Sequence, residues 1–295
     1  MEPTSETQKL LGELGLQYLE TVADRRDTLV LKVVRDGKPM VLKLHSDGES
    51  EESKNKARLL AREAEILSQI PHLTSHLYVG HGESDGKHWL LIREIDGQEA
   101  HQTAKRYRES ILGQKERVSH LMALLLKVSS FYDTLYAAGY LHGDVQPAHT
   151  YLEQGEITVI DWGLARKISD PNPLYKGGFI YFVAPEIAER MRSGKLPIDY
   201  TSHAEVYALG ATLFMLYTGT LALDFGIPKA DLRKAPMEQK LQRAVENRIF
   251  SFKDVGADPH PALEALLQKS LSTNPEERFE TSSALHQRLL GLDGF

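Results

Sequence analysis

At 295 residues, with 35 basic and 41 acidic side chains and a net charge of −6, the chain lacks the basic surplus of a nucleic-acid surface. It has no cysteine, which excludes disulfides and thiolate metal sites and leads us to expect a reducing, cytoplasmic setting. A hydrophobic share of 41% suits a packed globular core.

Residues 1–8 are polar, with neither a basic start nor an apolar stretch behind it, so no secretory leader is expected and 1–14 reads as an N-terminal extension. Residues 28–34 and 38–44 are rich in β-branched and aliphatic side chains. Asp36-Gly37 between them predicts a hairpin. The acidic stretch 46–55 reads as a solvated loop, and from 56 to 70 the apolar positions recur at helical spacing. Further strands are expected near 77–79 and 89–95, a long amphipathic helix over 118–138, and a short strand at 158–160. Mostly helical structure follows from Pro185 onward. The longest uncharged run, 207–223, is diluted by Gly210 and Gly219 and reads as a buried core helix rather than a membrane span. Strands followed by helices predict an α+β fold of two lobes, a small β-rich one over 15–96 and a larger helical one over 97–295.

Several charges stand out against this pattern. Glu63 has Leu59, Leu60, Ile66 and Leu67 three and four positions away, which puts a carboxylate on the buried face of its helix. Lys43 interrupts the apolar run of Met40, Val41, Leu42 and Leu44. One ion pair would satisfy both, although each could instead snorkel to the surface. Asp144, in His142-Gly143-Asp144, follows the long helix, and Asp161, in Asp161-Trp162-Gly163, follows a strand. Two carboxylates on such loops can bind a hard cation and act as a base beside it, or can serve as loop caps. His72, His76, His81 and His88 have no helical frame or acidic companion and read as ordinary surface histidines.

Lys43, Glu63, His142-Gly143-Asp144, Asp161-Trp162-Gly163, Ala184-Pro185-Glu186 and Arg278 follow the order and spacing of the protein-kinase superfamily, and the chain resembles it from about 18 to 290. The resemblance implies ATP and Mg²⁺ as cofactors. It makes Lys43 the phosphate-holding lysine paired with Glu63, Asp144 the residue that orients or deprotonates the accepting hydroxyl, and Asp161 the Mg²⁺ ligand. It also makes Ile92 the gatekeeper, with backbone groups of Arg93 and Ile95 against the adenine edge. Leu67, His142 and Trp162 would form an apolar spine, Glu186 would pair with Arg278, and 207–223 would be the central helix of the larger lobe. Glu205 replaces the family's usual aspartate. Ser169, Tyr175 and Tyr181 fall in the implied activation segment.

The sequence departs from the family in four places. Residues 20–27, where a glycine-rich loop would cover the phosphates, contain no glycine; Asp24 and Asp27 would repel phosphate there, with Arg25 and Arg26 placed to offset them. Gly143 replaces an arginine, so no switch by phosphorylation of the activation segment is expected. Gln146 stands for a lysine, and Phe179 for a threonine on the substrate side. His149 stands for the asparagine that holds a second metal. Imidazole is a poor ligand for Mg²⁺, so the expectation is either one Mg²⁺ on Asp161 or a preference for Mn²⁺ through His149. The reading is an ATP-dependent phosphotransferase acting on a protein or peptide hydroxyl, with neither nucleic-acid nor membrane partners. A regulatory pseudokinase is the alternative, and nucleotide transfer on the same fold is a variant of the first.

Overall fold

Two Asp-Gly turns organise the N-terminal sheet. Asp36 and Gly37 have φ of 53° and 73°, and Asp85 and Gly86 have 48° and 70°, the left-handed pair that closes a two-residue hairpin. The first joins strands β2 (Thr28–Arg35) and β3 (Lys38–Ser46), and the second joins β4 (Tyr78–Ser84) and β5 (Lys87–Arg93). With β1 (Gln17–Arg25) they form a five-stranded antiparallel sheet in the order β1-β2-β3-β5-β4. This computed structural model describes residues 2–25, 28–46, 50–74, 76–170 and 175–292.

The chain forms two compact units, one running to Asp96 and including Trp162–Ala165, the other comprising Gly97–Asp161 and everything from Arg166 onward. In the first, strand alternation sends Leu42 and Leu44 to one face of the sheet and Lys43 to the other. The Leu42 face forms a core with Leu31, Val33 and Leu91, closed by Leu10 and Leu11 of α1 (Ser5–Glu13). The stretch 1–14, expected as an extension, thus supplies core residues. The opposite face packs on α2 (Glu51–Gln69), whose Leu60, Ile66 and Leu67 are buried. The short α3 (Pro71–Thr74) follows.

The sequence-based expectation of a loop to residue 55 is corrected here. Ser50 caps α2 by accepting from the Ser53 N–H, and Glu51 and Glu52 sit in the first turn, where carboxylates suit the helix dipole. Asp47 and Glu49, also assigned to that loop, lie outside the described residues. The stretch 20–27, expected where a loop would cover the phosphates, runs as strand as far as Arg25. β1 pairs with β2 as far as Arg25 opposite Thr28, with bulges between Tyr18 and Glu20 and between Thr21 and Ala23. The roles assigned to the Arg25 side chain, Arg26 and Asp27 fall outside the described residues.

The second unit is helical. It holds α4 (Ala100–Arg108), α5 (Gln114–Ala137), α6 (Pro185–Ser193), α7 (Ser202–Thr218), α8 (Met237–Glu246), α9 (Pro261–Ser270) and α10 (Ser282–Leu290). Two small sheets serve its loops, β6 (Gln98–Glu99) with β8 (Thr150–Glu153) and β9 (Glu156–Val159), and β7 (Tyr140–Leu141) with β10 (Arg166–Lys167). Helix α7 is buried nearly all round, as its uniformly apolar sequence requires. It starts five residues earlier than its uncharged run, because Thr201 caps it, and stops at Gly219, whose φ is 82°. Gly210 lets α9 approach closely: a Cβ there would lie 2.7 Å from the Ser270 Cβ. Arg278, its side chain fully buried, holds Glu186 at the start of α6 with two bonds of 2.8 Å. Among the described residues, no helix is long and apolar enough to cross a membrane.

Candidate functional site

In the first unit, Lys43 Nζ donates to Glu63 Oε1 at 2.7 Å and Oε2 at 2.9 Å, from side chains that are 19% and 5% exposed. The apolar patterns that isolate each charge in the sequence therefore bring the two together. Glu63 also accepts the Trp162 N–H at 3.4 Å. Arg62, its neighbour, donates from Nε to the Ala165 carbonyl at 2.6 Å. Gly163 lies against Leu59 of α2, where a Cβ would meet the Leu59 carbonyl at 3.4 Å. The segment after Asp161 is thus fastened to the helix that carries Glu63.

Of the residues expected along the adenine edge, Ile92 is buried and the Arg93 N–H donates to the Leu77 carbonyl at 2.8 Å. Ile95 follows β5 with its side chain half-buried.

In the second unit, Glu205 builds the loop that holds Asp144. From the first turn of α7 its two carboxylate oxygens accept the His142 N–H at 2.8 Å and the Gly143 N–H at 3.1 Å. Gly143 makes this possible with a φ of 81°. The His142 imidazole donates from Nε2 to the Ile160 carbonyl at 3.2 Å and accepts the Asp144 N–H at Nδ1 at 3.3 Å. Both bonds need the neutral ring, and burial depresses its pKa to about 3. Leu67, His142 and Trp162, the implied spine, are each buried.

Asp144 itself is held on both oxygens. The Phe179 backbone N–H donates to Oδ1 at 3.1 Å and Gln146 Nε2 donates to Oδ2 at 3.0 Å. Burial pushes its carboxyl up from the ordinary value. The charge on His149 and the Phe179 and Gln146 donors pull it part of the way back, against the like charge of Asp161. Gly178 lies against this carboxylate, where a Cβ would sit 3.0 Å from Oδ1. Sequence reasoning missed Gly178; the adjacent Gly177-Gly178 pair was the available signal. Of the residues placed in the activation segment, Tyr175 is buried and its ring lies 4.8 Å from that of Tyr200.

His149 and Asp161 complete the group. His149 Nδ1 donates to the Asp144 carbonyl at 3.1 Å, and its Nε2 lies 3.5 Å from Asp161 Oδ2. Asp144, His149 and Asp161 each offer a ligand atom within 4.8 Å of the others. Asp161 holds its position with a φ of 66°, a left-handed conformation that costs a non-glycine residue about 1–3 kcal/mol.

The protein kinase domain family matches residues 28–290. This chain belongs to the protein kinase domain family. The kinase domain is 27% identical over 289 residues to serine/threonine-protein kinase PknD of Mycobacterium tuberculosis, covering 94% of this chain and 38% of the relative. It is 25% identical over 297 residues to PknE of Mycobacterium bovis (97% and 46%) and 25% over 245 residues to pkn3 of Myxococcus xanthus (79% and 41%). The chain therefore spans less than half the length of these relatives. Within the kinase domain, the donor at the family's threonine position is the backbone of Phe179, which needs no hydroxyl. The Phe179 side chain is instead 46% exposed and packs edge-on against Tyr181, at 4.8 Å between ring centroids.

Proposed function

We propose that the domain transfers the γ-phosphoryl group of ATP to a serine or threonine hydroxyl of a protein or peptide. The observation that carries this reading is Asp144, a carboxylate fixed by a donor on each oxygen with lone pairs left to orient a hydroxyl and accept its proton. Lys43, immobilised by Glu63, is the group to hold the nucleotide phosphates. The oxygens of Asp161 and Asp144 suit Mg²⁺, and Asp161 would hold it, where the ion offsets charge on the phosphates. The serine/threonine kinase names of the relatives support a protein substrate.

A second reading, a regulatory module without catalysis, draws support from the same domain. The β1–β2 hairpin carries no glycine, Gln146 is neutral where a cation is usual, and His149 replaces an oxygen ligand.

Thermal unfolding with ATP and Mg²⁺, on wild type and Asp161→Asn, separates the two. A ligand at about 100 times its Kd stabilises by about 2.7 kcal/mol. A metal-dependent rise that Asp161→Asn abolishes, with phosphate on a protein acceptor by mass, supports transfer; an added nucleotide would mean the other chemistry. No rise in a folded protein would leave the binding-module reading.

A further inference from the structure

At the C-terminal end of α7 the second unit holds a cavity of about 240 Å³ that the transfer reading does not use. Met215 near the helix end, the cap Gly219, Leu221, Leu223 and Phe225 of the following loop, and Phe250 line it. Met215, Leu221 and Phe250 are only half-buried, so a ligand can reach the space from solvent. Water finds few polar partners along such a wall, which therefore favours an apolar occupant. At about 30 Å³ for each water-sized group, there is room for about eight carbons.

The uncompensated charge around this wall is positive. Lys229 also lines the cavity, and among the described residues its ammonium makes no ion pair or hydrogen bond. Arg108 of α4 lies against Gly219, where a Cβ would sit 2.9 Å from its Nε. Its Nη1 donates to the Leu216 carbonyl, but no carboxylate of the described residues lies within ion-pair distance of the guanidinium. His101, two turns earlier on the same face of α4, has a buried Nδ1 with no hydrogen-bond partner. Burial depresses the His101 pKa, and the charges of Arg108 and Lys229 add to this against that of Glu99, so the three groups lie together. The acid in the wall, Asp224, is already compensated. Its Oδ1 accepts the Gly226 N–H at 2.8 Å, and its Oδ2 lies 3.4 Å from Arg248 Nε. Two cations and a buried nitrogen without a partner thus border an apolar cavity, an arrangement that an anion would satisfy.

We infer that this cavity binds a small amphipathic carboxylate, with an apolar chain of about eight carbons inside it and the carboxylate against Lys229, beside Arg108 and His101. The site is separate from the group around Asp144, and binding requires neither nucleotide nor phosphoryl transfer.

The test titrates nucleotide-free protein with butanoate, hexanoate, octanoate and decanoate, followed by calorimetry and by the methyl resonances of Met215, Leu221 and Leu223. Burying one methylene strengthens binding about fourfold. Each two-carbon step up to octanoate is therefore expected to gain about tenfold or more, and decanoate to gain little beyond it. Octylamine, with the same chain and the opposite charge, should bind about tenfold more weakly than octanoate, or worse. Lys229→Gln should weaken octanoate and Lys229→Glu should weaken it further, while Leu221→Trp, which fills the cavity, should abolish binding. The lysine is exposed, so its variants and the octylamine comparison carry the test if the tryptophan variant folds poorly. Equal binding of octanoate and octylamine would overturn the inference, as would octanoate binding that Lys229→Glu leaves unchanged. Absence of octanoate binding, affinity indifferent to chain length, or shifts confined to methyls outside the cavity would overturn it as well.

Discussion

Gln146 donates to Asp144 from the position at which the family carries lysine, Nε2 to Oδ2 at 3.0 Å. The amide supplies the hydrogen bond without the charge. A charge-assisted bond is about twice as strong as a neutral one, and a gain of about 1.4 kcal/mol in the transition state is tenfold in rate. Gln146→Lys is therefore expected to raise kcat about tenfold with little change in KM for ATP. The pH profile gives an independent check. Asp144 acts as a carboxylate, and burial raises its pKa, so the acid limb of kcat/KM should lie above the ordinary carboxylate range. A cation at 146 stabilises the charged form and moves that limb to lower pH. Gln146→Leu removes a donor and moves it higher. A limb that stays in place in both variants would show that Asp144 is not the titrating group.

Restoring the family's arginine should do harm. Gly143 has a φ of 81° and its N–H reaches Glu205 Oε2 at 3.1 Å, so the turn and the hydrogen bond come together. A side chain in this left-handed region costs about 1–2 kcal/mol. Gly143→Arg is expected to lose at least that much stability in urea unfolding and to lower activity with it, because the same loop carries Asp144. Unchanged stability would mean that the loop can adopt another backbone path.

Much of this was legible in the sequence wherever a residue broke its own local pattern. Lys43 in an apolar strand and Glu63 on an apolar helix face announced their pairing, and the two Asp-bearing loops declared their residue types. Edges were harder. The start of α2 was hidden by its acidic first turn, which reads as solvated unless Ser50 is recognised as a cap. β1 was hidden by its two bulges, which break the period-2 alternation, and the continuation of β4 beyond Val79 by Gly80 and Gly82. Gly82 is required because a Cβ there would meet the Trp89 ring at 2.8 Å. The Phe179 contact with Asp144 was illegible in principle, since it uses a backbone N–H that every residue but proline carries.

His142 makes acid stability testable. Its ring is fully buried and neutral, with a pKa depressed to about 3 from an ordinary value of 6.5. The unfolded chain therefore takes up a proton that the folded one refuses, so the stabilisation is complete above pH 6.5 and is lost as pH falls toward 3. Each pH unit in that window removes about 1.4 kcal/mol. His142→Phe, which keeps an apolar ring but loses the bonds to Ile160 and Asp144, should be less stable at neutral pH and show a shallower acid slope. Parallel slopes for the two proteins would count against a neutral, buried His142.

The Lys43–Glu63 pair can be separated into a structural and a nucleotide-holding part. Both charges are largely withdrawn from water, and removing one partner of a buried pair typically costs about 3–5 kcal/mol, because the other is left uncompensated. Replacing both together is often close to neutral. Glu63→Gln and Lys43→Met should each destabilise the fold, the first less than the usual range because the amide oxygen can still accept from Lys43 and Trp162. The double variant should recover most of the loss in urea unfolding. ATP affinity should behave differently. If Lys43 holds the phosphates, Glu63→Gln weakens binding by loosening the lysine, and the double variant binds no better than Lys43→Met despite its recovered stability. Recovery of both properties together would mean that the pair serves the fold alone.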